Sequence, residues 1–270
     1  FFSVAGVLFF AGQAAGVSML LVSALILRAE GLSSVGLFSA AWGLSMNYVL
    51  LILTSFSTYY LPTLSAAKDA QSGAAIIHSI FRLTLLVLVP LLTALAVFKP
   101  LVITSLYSEE FTSALFLLRW LVIANFFRVF AWVLAMPAIA QADMKVYFWT
   151  ESLWWLGLLG LSAPSILGFG SVEAIGIAVI ALYLPYLAFW LKYLGKRKLF
   201  ILQARDRKNW FAGLGIVLVA SLYNWTSIRV DWISAPIWIV VALAFSWLVL
   251  TPTERRRIVL TIKTRSIEAG

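Results

Sequence analysis

Two arginines, Arg119 and Arg128, stand inside one long apolar run, where a charge is costly to keep. A guanidinium in such a place has two uses. It neutralises a carboxylate of its own fold, or it offers a forked, bidentate grip to an anion such as a phosphate. The arginines are nine residues apart. At about 100° per helical residue this is about 900°, which sets them on opposite faces of one helix. Arg119 shares its face with Val122, Ile123, Phe126, Phe130 and Val133, a surface for packing or for lipid. Arg128 shares its face with Ala124, Asn125, Ala131, Trp132 and Ala135, and the small residues among them leave room for a ligand or water. The spacing therefore expects Arg128 and Asn125 on a cavity side. Arg119 is the second cationic candidate for substrate, or else snorkels to the nearer end of its run.

Three other polar positions inside apolar runs call for a reading. Glu151, in the run after Arg128, could neutralise that arginine or carry a proton or another coupling ion. Gln13 and Asn47 suit either hydrogen bonds between helices or contacts to a ligand, Asn47 lying on a stripe with Gly43, Thr54 and Thr58. The Gly12–Gly16 spacing permits two helix backbones to approach closely. His78, Asp143 and Lys145 fall in connections between runs and read as solvated.

Helices in lipid must position these side chains. The chain has 270 residues, 63% of them hydrophobic and 11% charged. Soluble domains are roughly half apolar and about a quarter charged. Eight apolar runs are each expected to be long enough to cross a hydrocarbon core, which takes ~20 helical residues. They cover roughly residues 1–27, 35–61, 81–98, 112–140, 146–168, 172–194, 210–227 and 232–250. Backbone groups in lipid must bond within their own segment, and the alternation of a barrel strand is absent. The expected fold is an all-α polytopic membrane protein. Pro90, Pro137, Pro164 and Pro185 lie within runs, as kinks or as hinges.

The formal net charge of +9 does not point to nucleic acid, because the basic residues gather in short connections. Lys68, Arg82, Lys145, the cluster from Lys192 to Lys208 and the tail from Arg255 to Arg265 fall on one side. Arg28, Lys99 and Arg229 fall on the other. The positive-inside rule then puts the tail in the cytoplasm. Trp149, Trp154 and Trp155 would mark one membrane boundary, and Trp225 and Trp232 the opposite one. The first residues are already apolar and lack the order of a signal peptide, so the sequence reads as a truncated one.

Several chemistries find no support. There is no cysteine and a single histidine, so thiolate and His-cluster metal sites are not expected, nor is a cofactor. The run Gly195-Lys196-Arg197 resembles a phosphate-binding loop only superficially, and no nucleotide-hydrolysis, nucleophile-elbow or zinc-protease motif is present. The chain is expected not to be an enzyme. A membrane glycosyltransferase or polysaccharide polymerase, the alternative of another class, would need a longer outer loop than the one holding Glu109 and Glu110.

Two stretches carry a family resemblance. The first is Gly36-Leu37-Phe38-Ser39-Ala40-Ala41-Trp42 with Ser55-Phe56-Ser57-Thr58-Tyr59-Tyr60-Leu61-Pro62-Thr63-Leu64-Ser65. The second is Leu106-Tyr107-Ser108-Glu109-Glu110-Phe111, followed by Leu118-Arg119-Trp120 and Arg128-Val129-Phe130-Ala131-Trp132. Together they resemble the second half of O-antigen flippases, the Wzx-type transporters of the multidrug/oligosaccharidyl-lipid/polysaccharide exporter superfamily.

The resemblance implies two six-helix lobes around a central cavity. Residues 1–200 would be the C-terminal lobe, 201–252 two additional transmembrane helices and 253–270 a basic cytoplasmic tail, with the N-terminal lobe absent from this sequence. The implied cargo is a lipid-diphosphate-linked oligosaccharide, an O-antigen or related unit of lipopolysaccharide. It would cross the bacterial inner membrane by alternating access, driven by a coupling ion (proton or sodium) and served by polysaccharide assembly proteins. Arg128, Asn125, Asn47, Gln13 and Arg119 would meet the substrate. A peptidoglycan-precursor flippase or a drug/ion antiporter of the same superfamily is the nearer alternative.

Overall fold

The structure, a computed structural model, describes residues 4–251. Among the described residues there are eight α-helices and no strand. They are α1 (Val4–Glu30), α2 (Leu32–Ser65), α3 (Ala70–Leu106), α4 (Ala114–Ala140), α5 (Met144–Phe169), α6 (Glu173–Lys196), α7 (Ala204–Tyr223) and α8 (Ala235–Val249). A 3-10 turn, Glu109–Ser113, leads into α4. The chain is thus an all-α protein built as a multi-pass membrane bundle. Five helices, α1, α2, α3, α4 with its leading turn, and α6, are long and apolar enough to cross a membrane. The fifteen residues of α8 reach only ~22 Å at 1.5 Å per residue, short of the ~30 Å hydrocarbon core.

Local chemistry sets the helix boundaries. Gly31 takes a φ of 88°, which only a residue without Cβ adopts at little cost, and lets the chain turn from α1 into α2. Asp69 accepts from the Ser72 backbone amide at 2.7 Å while Ser72 returns a contact to the Asp69 amide, a capping box that starts α3. Gly170, at a φ of 59°, closes α5.

The core centres on α4, which packs on α6, α2 and α3 and is buried almost all round. Glycine makes the α4–α6 contact possible. A Cβ on Gly176 would sit 2.4 Å from the Trp120 Cβ. Gly213 similarly seats α7 on α3, where a Cβ would meet Val89 at 2.8 Å. The spacing of Gly12 and Gly16 pointed elsewhere: a Cβ at either would meet nothing within 4 Å, so no described helix packs there.

The two additional helices join the six by packing on α3. His78 is not a solvated connection residue. It belongs to α3, with Nδ1 2.8 Å from Oδ2 of the buried Asp206 on α7 and its ring against Phe200. The 37 residues of α3 would extend ~55 Å, well beyond the hydrocarbon core. Arg82 therefore also lies within α3 rather than in a connection. Lys99, expected in an outer connection, is likewise inside α3 and 1% exposed. Its ammonium donates to the Asn224 carbonyl at 2.7 Å, at the C-terminus of α7, where the helix dipole favours a cation. Pro100 did not end the helix ahead of it. Asp143 is likewise tied rather than simply solvated: Arg197 and Tyr193 each donate to its Oδ2 at 2.6 Å. The basic tail at 253–270 lies outside the described residues.

Candidate functional site

Four helices converge on a pocket of about 150 Å³ around Arg128. Arg128, Trp132 and Ala135 come from α4, at the spacing of one helix face. Trp42, Met46 and Leu53 come from α2. Tyr147, Glu151, Trp154 and Trp155 come from α5, and Tyr183 and Tyr186 from α6. The small Ala135 leaves the opening beside the guanidinium, as its place on the Arg128 face suggested.

Arg128 is half-buried and its Nη1 contacts the Met46 sulfur. Sulfur is a weak acceptor, so this contact uses little of the donor fork. Glu151 lines the same pocket and accepts from the Tyr186 hydroxyl at 2.5 Å. Among the described residues, Arg128 and Glu151 form no direct salt bridge. Pocket and pair thus share a space without closing it. The guanidinium keeps donors, and the carboxylate lone pairs, for a third party. Rings form most of the walls; Trp154 lies 4.9 Å from Tyr183 and at 4.8 Å meets Trp155 edge-on.

The other sequence-predicted residues are placed elsewhere. Asn125 is one turn from Arg128, yet it is buried against α2 and donates to the Ser45 hydroxyl at 2.7 Å and the Ser45 carbonyl at 3.3 Å. The structure does not bring it to the pocket. Arg119 lies on the opposite face, as its spacing required. Its Nε donates to Glu173 at 3.0 Å, Trp120 Nε1 donates to the same carboxylate oxygen at 2.9 Å, and the guanidinium sits over the Trp225 ring at 4.4 Å. These contacts tie α4, α6 and the α7–α8 connection together, so Arg119 does not snorkel alone. Trp225 packs on Arg119, and Trp154 walls the Arg128 pocket. Neither is purely a boundary anchor.

Gln13 and Asn47 are exposed on α1 and α2, apart from the pocket. On the exposed side of α2 the hydroxyls bond backward along their own helix: Thr54 donates to the Leu50 carbonyl and Thr58 to that of Thr54. Each hydroxyl thereby finds an acceptor on its own helix.

Trp154 and Trp155 read as boundary residues in the sequence, and Tyr147, Tyr183 and Tyr186 were passed over, though a signal existed. Tyr147, Glu151, Trp154 and Trp155 recur at i, i+4, i+7 and i+8, one face of a helix. Tyr183 and Tyr186 are three apart on α6. Among the described residues no group of three or more acidic or histidine side chains could hold a metal.

Comparison with known proteins gives one similarity. A family described as "Polysaccharide biosynthesis protein" matches residues 2–115, which span α1, α2, α3 and the first residues of α4. The matched stretch contains Gln13 and Asn47 and stops short of Arg119, Arg128 and Glu151. No curated protein matches the chain, and no solved structure matches it. Over that stretch the chain is similar to a family of polysaccharide biosynthesis, a likeness that agrees with a membrane protein acting in polysaccharide synthesis or export.

Proposed function

We propose that the chain is the C-terminal lobe of a flippase that moves a polyprenyl-diphosphate-linked oligosaccharide from the cytoplasmic to the periplasmic leaflet of a bacterial inner membrane. One observation carries the reading: Arg128 opens onto a pocket in an apolar bundle and is not closed off by a carboxylate. The match with a polysaccharide biosynthesis family supports the cargo class.

The physical problem is the diphosphate. Isolated charge taken into a low-dielectric medium costs many kcal/mol, and in practice it needs a paired partner. The Arg128 fork supplies charge-assisted, bidentate hydrogen bonds to phosphate oxygens. A pocket of about 150 Å³ suits one phosphate-sized group or the edge of one ring, so most of the cargo stands outside it. Glu151 and the phenol oxygen of Tyr186 accept from hydroxyls of a neighbouring sugar. The indole and phenol faces offer an apolar surface to its C–H groups. In this reading Glu151 also exchanges a proton or another coupling ion against the Arg128 charge. The basic tail and connections keep the C-terminus in the cytoplasm. Rocking of this lobe against a second one completes the transfer. Gln13 and Asn47, on the exposed faces of α1 and α2, meet the cargo across from that lobe.

The test is export in cells lacking the native transporter, with membrane levels of each variant checked. Arg128→Ala abolishes surface polysaccharide at unchanged protein level, and Arg128→Lys retains a fraction. Full export by Arg128→Ala overturns the reading.

A further inference from the structure

A second hollow, between α5 and α6, has no role in the reading above. It is a groove of about 460 Å³ with almost wholly apolar walls, among them Trp149, Leu153, Leu182, Pro185 and Phe189. Trp149, Leu153 and Phe189 are exposed, so the groove opens at the outer surface of the bundle. Trp154 and Tyr186 line both hollows and form the partition between the groove and the Arg128 pocket.

The groove has a charged end. Lys145, in the first turn of α5, is the one charged side chain in its lining. Lys145 has no acidic partner among the described residues, since nearby Asp143 is bound by Arg197 and Tyr193. The apolar hollow of about 400 Å³ between α6 and α7, walled by Leu184, Leu191 and Phe211 among others, carries no charge in its lining. Charge and channel coincide at the α5–α6 groove and not there.

Length narrows the occupant. From Lys145 to Trp154 the groove follows nine residues of α5, ~14 Å at 1.5 Å per residue. One leaflet of a ~30 Å hydrocarbon core is ~15 Å deep. A cation at the membrane boundary above a channel one leaflet deep matches a lipid standing upright. Its phosphate would lie at Lys145 and its acyl chain against Leu153 and Pro185. A polyprenyl chain is far longer than such a channel.

We propose that the α5–α6 groove is a binding site for an anionic glycerophospholipid of the surrounding membrane. The lipid packs against Pro185, within α6, and so bears on the helix that also supplies Tyr183 and Tyr186 to the Arg128 pocket. The proposal does not depend on the transport reading.

Native mass spectrometry of the full chain, delipidated and titrated with phosphatidylglycerol or phosphatidylcholine, tests it. The wild type retains phosphatidylglycerol preferentially. Lys145→Gln lowers that preference about fivefold, the weight of one basic residue against an anionic lipid. Leu153→Trp, which fills the channel from an exposed position, lowers retention of both lipids. Retention indifferent to headgroup and to both substitutions overturns the site. Displacement of phosphatidylglycerol by equimolar polyprenyl phosphate overturns the identity of its occupant.

Discussion

The Tyr186 hydroxyl reaches across from α6 to donate to Glu151 on α5 at 2.5 Å, and so holds the carboxylate within the pocket that Arg128 enters from α4. Acid and base are thereby kept as neighbours without contact. Both line a pocket of about 150 Å³.

This anchoring predicts energetic coupling. Tyr186→Phe leaves a half-buried carboxylate short of a donor, which costs about 1–3 kcal/mol. Glu151→Gln in the Tyr186→Phe background costs less than it does alone. A double-mutant cycle on thermal melting in detergent is expected to give an interaction of about 0.5–3 kcal/mol. Strict additivity would show that the hydrogen bond does not hold Glu151 in place.

Glycines provide a contrast between positions. Gly176→Ala forces a methyl group against the Trp120 backbone-proximal Cβ, which cannot swing aside, and overpacking of this kind costs about 1–3 kcal/mol. Gly12→Ala and Gly16→Ala meet open space, and alanine gains up to ~1 kcal/mol in helix propensity over glycine. Melting temperatures should therefore fall for the first and hold or rise for the other two. A fall for all three would place an unseen partner against α1.

Asp143 gives a dependence on pH. It lies in the connection between α4 and α5, and the Tyr193 hydrogen bond, then the nearby Arg197 charge, hold its carboxyl below the usual carboxylate range. A depressed folded-state pKa means that the unfolded chain binds the proton more readily. The stabilisation is fully present above the unfolded value of ~3.9 and is lost as pH falls through the folded one. Asp143→Asn should melt below wild type at neutral pH, and the difference should close on acidification below about pH 4. A constant difference across that range would show that the charge does not contribute.

Much of the architecture was legible in the residues themselves. Apolar runs interrupted by short polar connections located eight helices, of which five are long and apolar enough to cross a membrane. The opposite faces of Arg119 and Arg128 followed from helical geometry. So did the small residue Ala135 beside Arg128 at the pocket.

Which side chains meet across helices was not legible. Lys99 and His78 looked like connection residues because a local window sees polarity, whereas α3 carries both inside one long helix that docks α7 through each of them. Asn125 shares a face with Arg128 but is absorbed by Ser45, a partner eighty residues earlier in the chain. Gly12 and Gly16 had the spacing for close packing, and Gly176 made the contact instead.

Periodicity and hydropathy are properties of a single helix, so the sequence alone determined the membrane bundle, its segment order and the opposite faces of Arg119 and Arg128. The azimuth at which one helix meets another depends on side chains from both. Only the tertiary structure could decide that Arg119 is paired with Glu173 while Arg128 shares an aromatic pocket with Glu151 and remains unpaired.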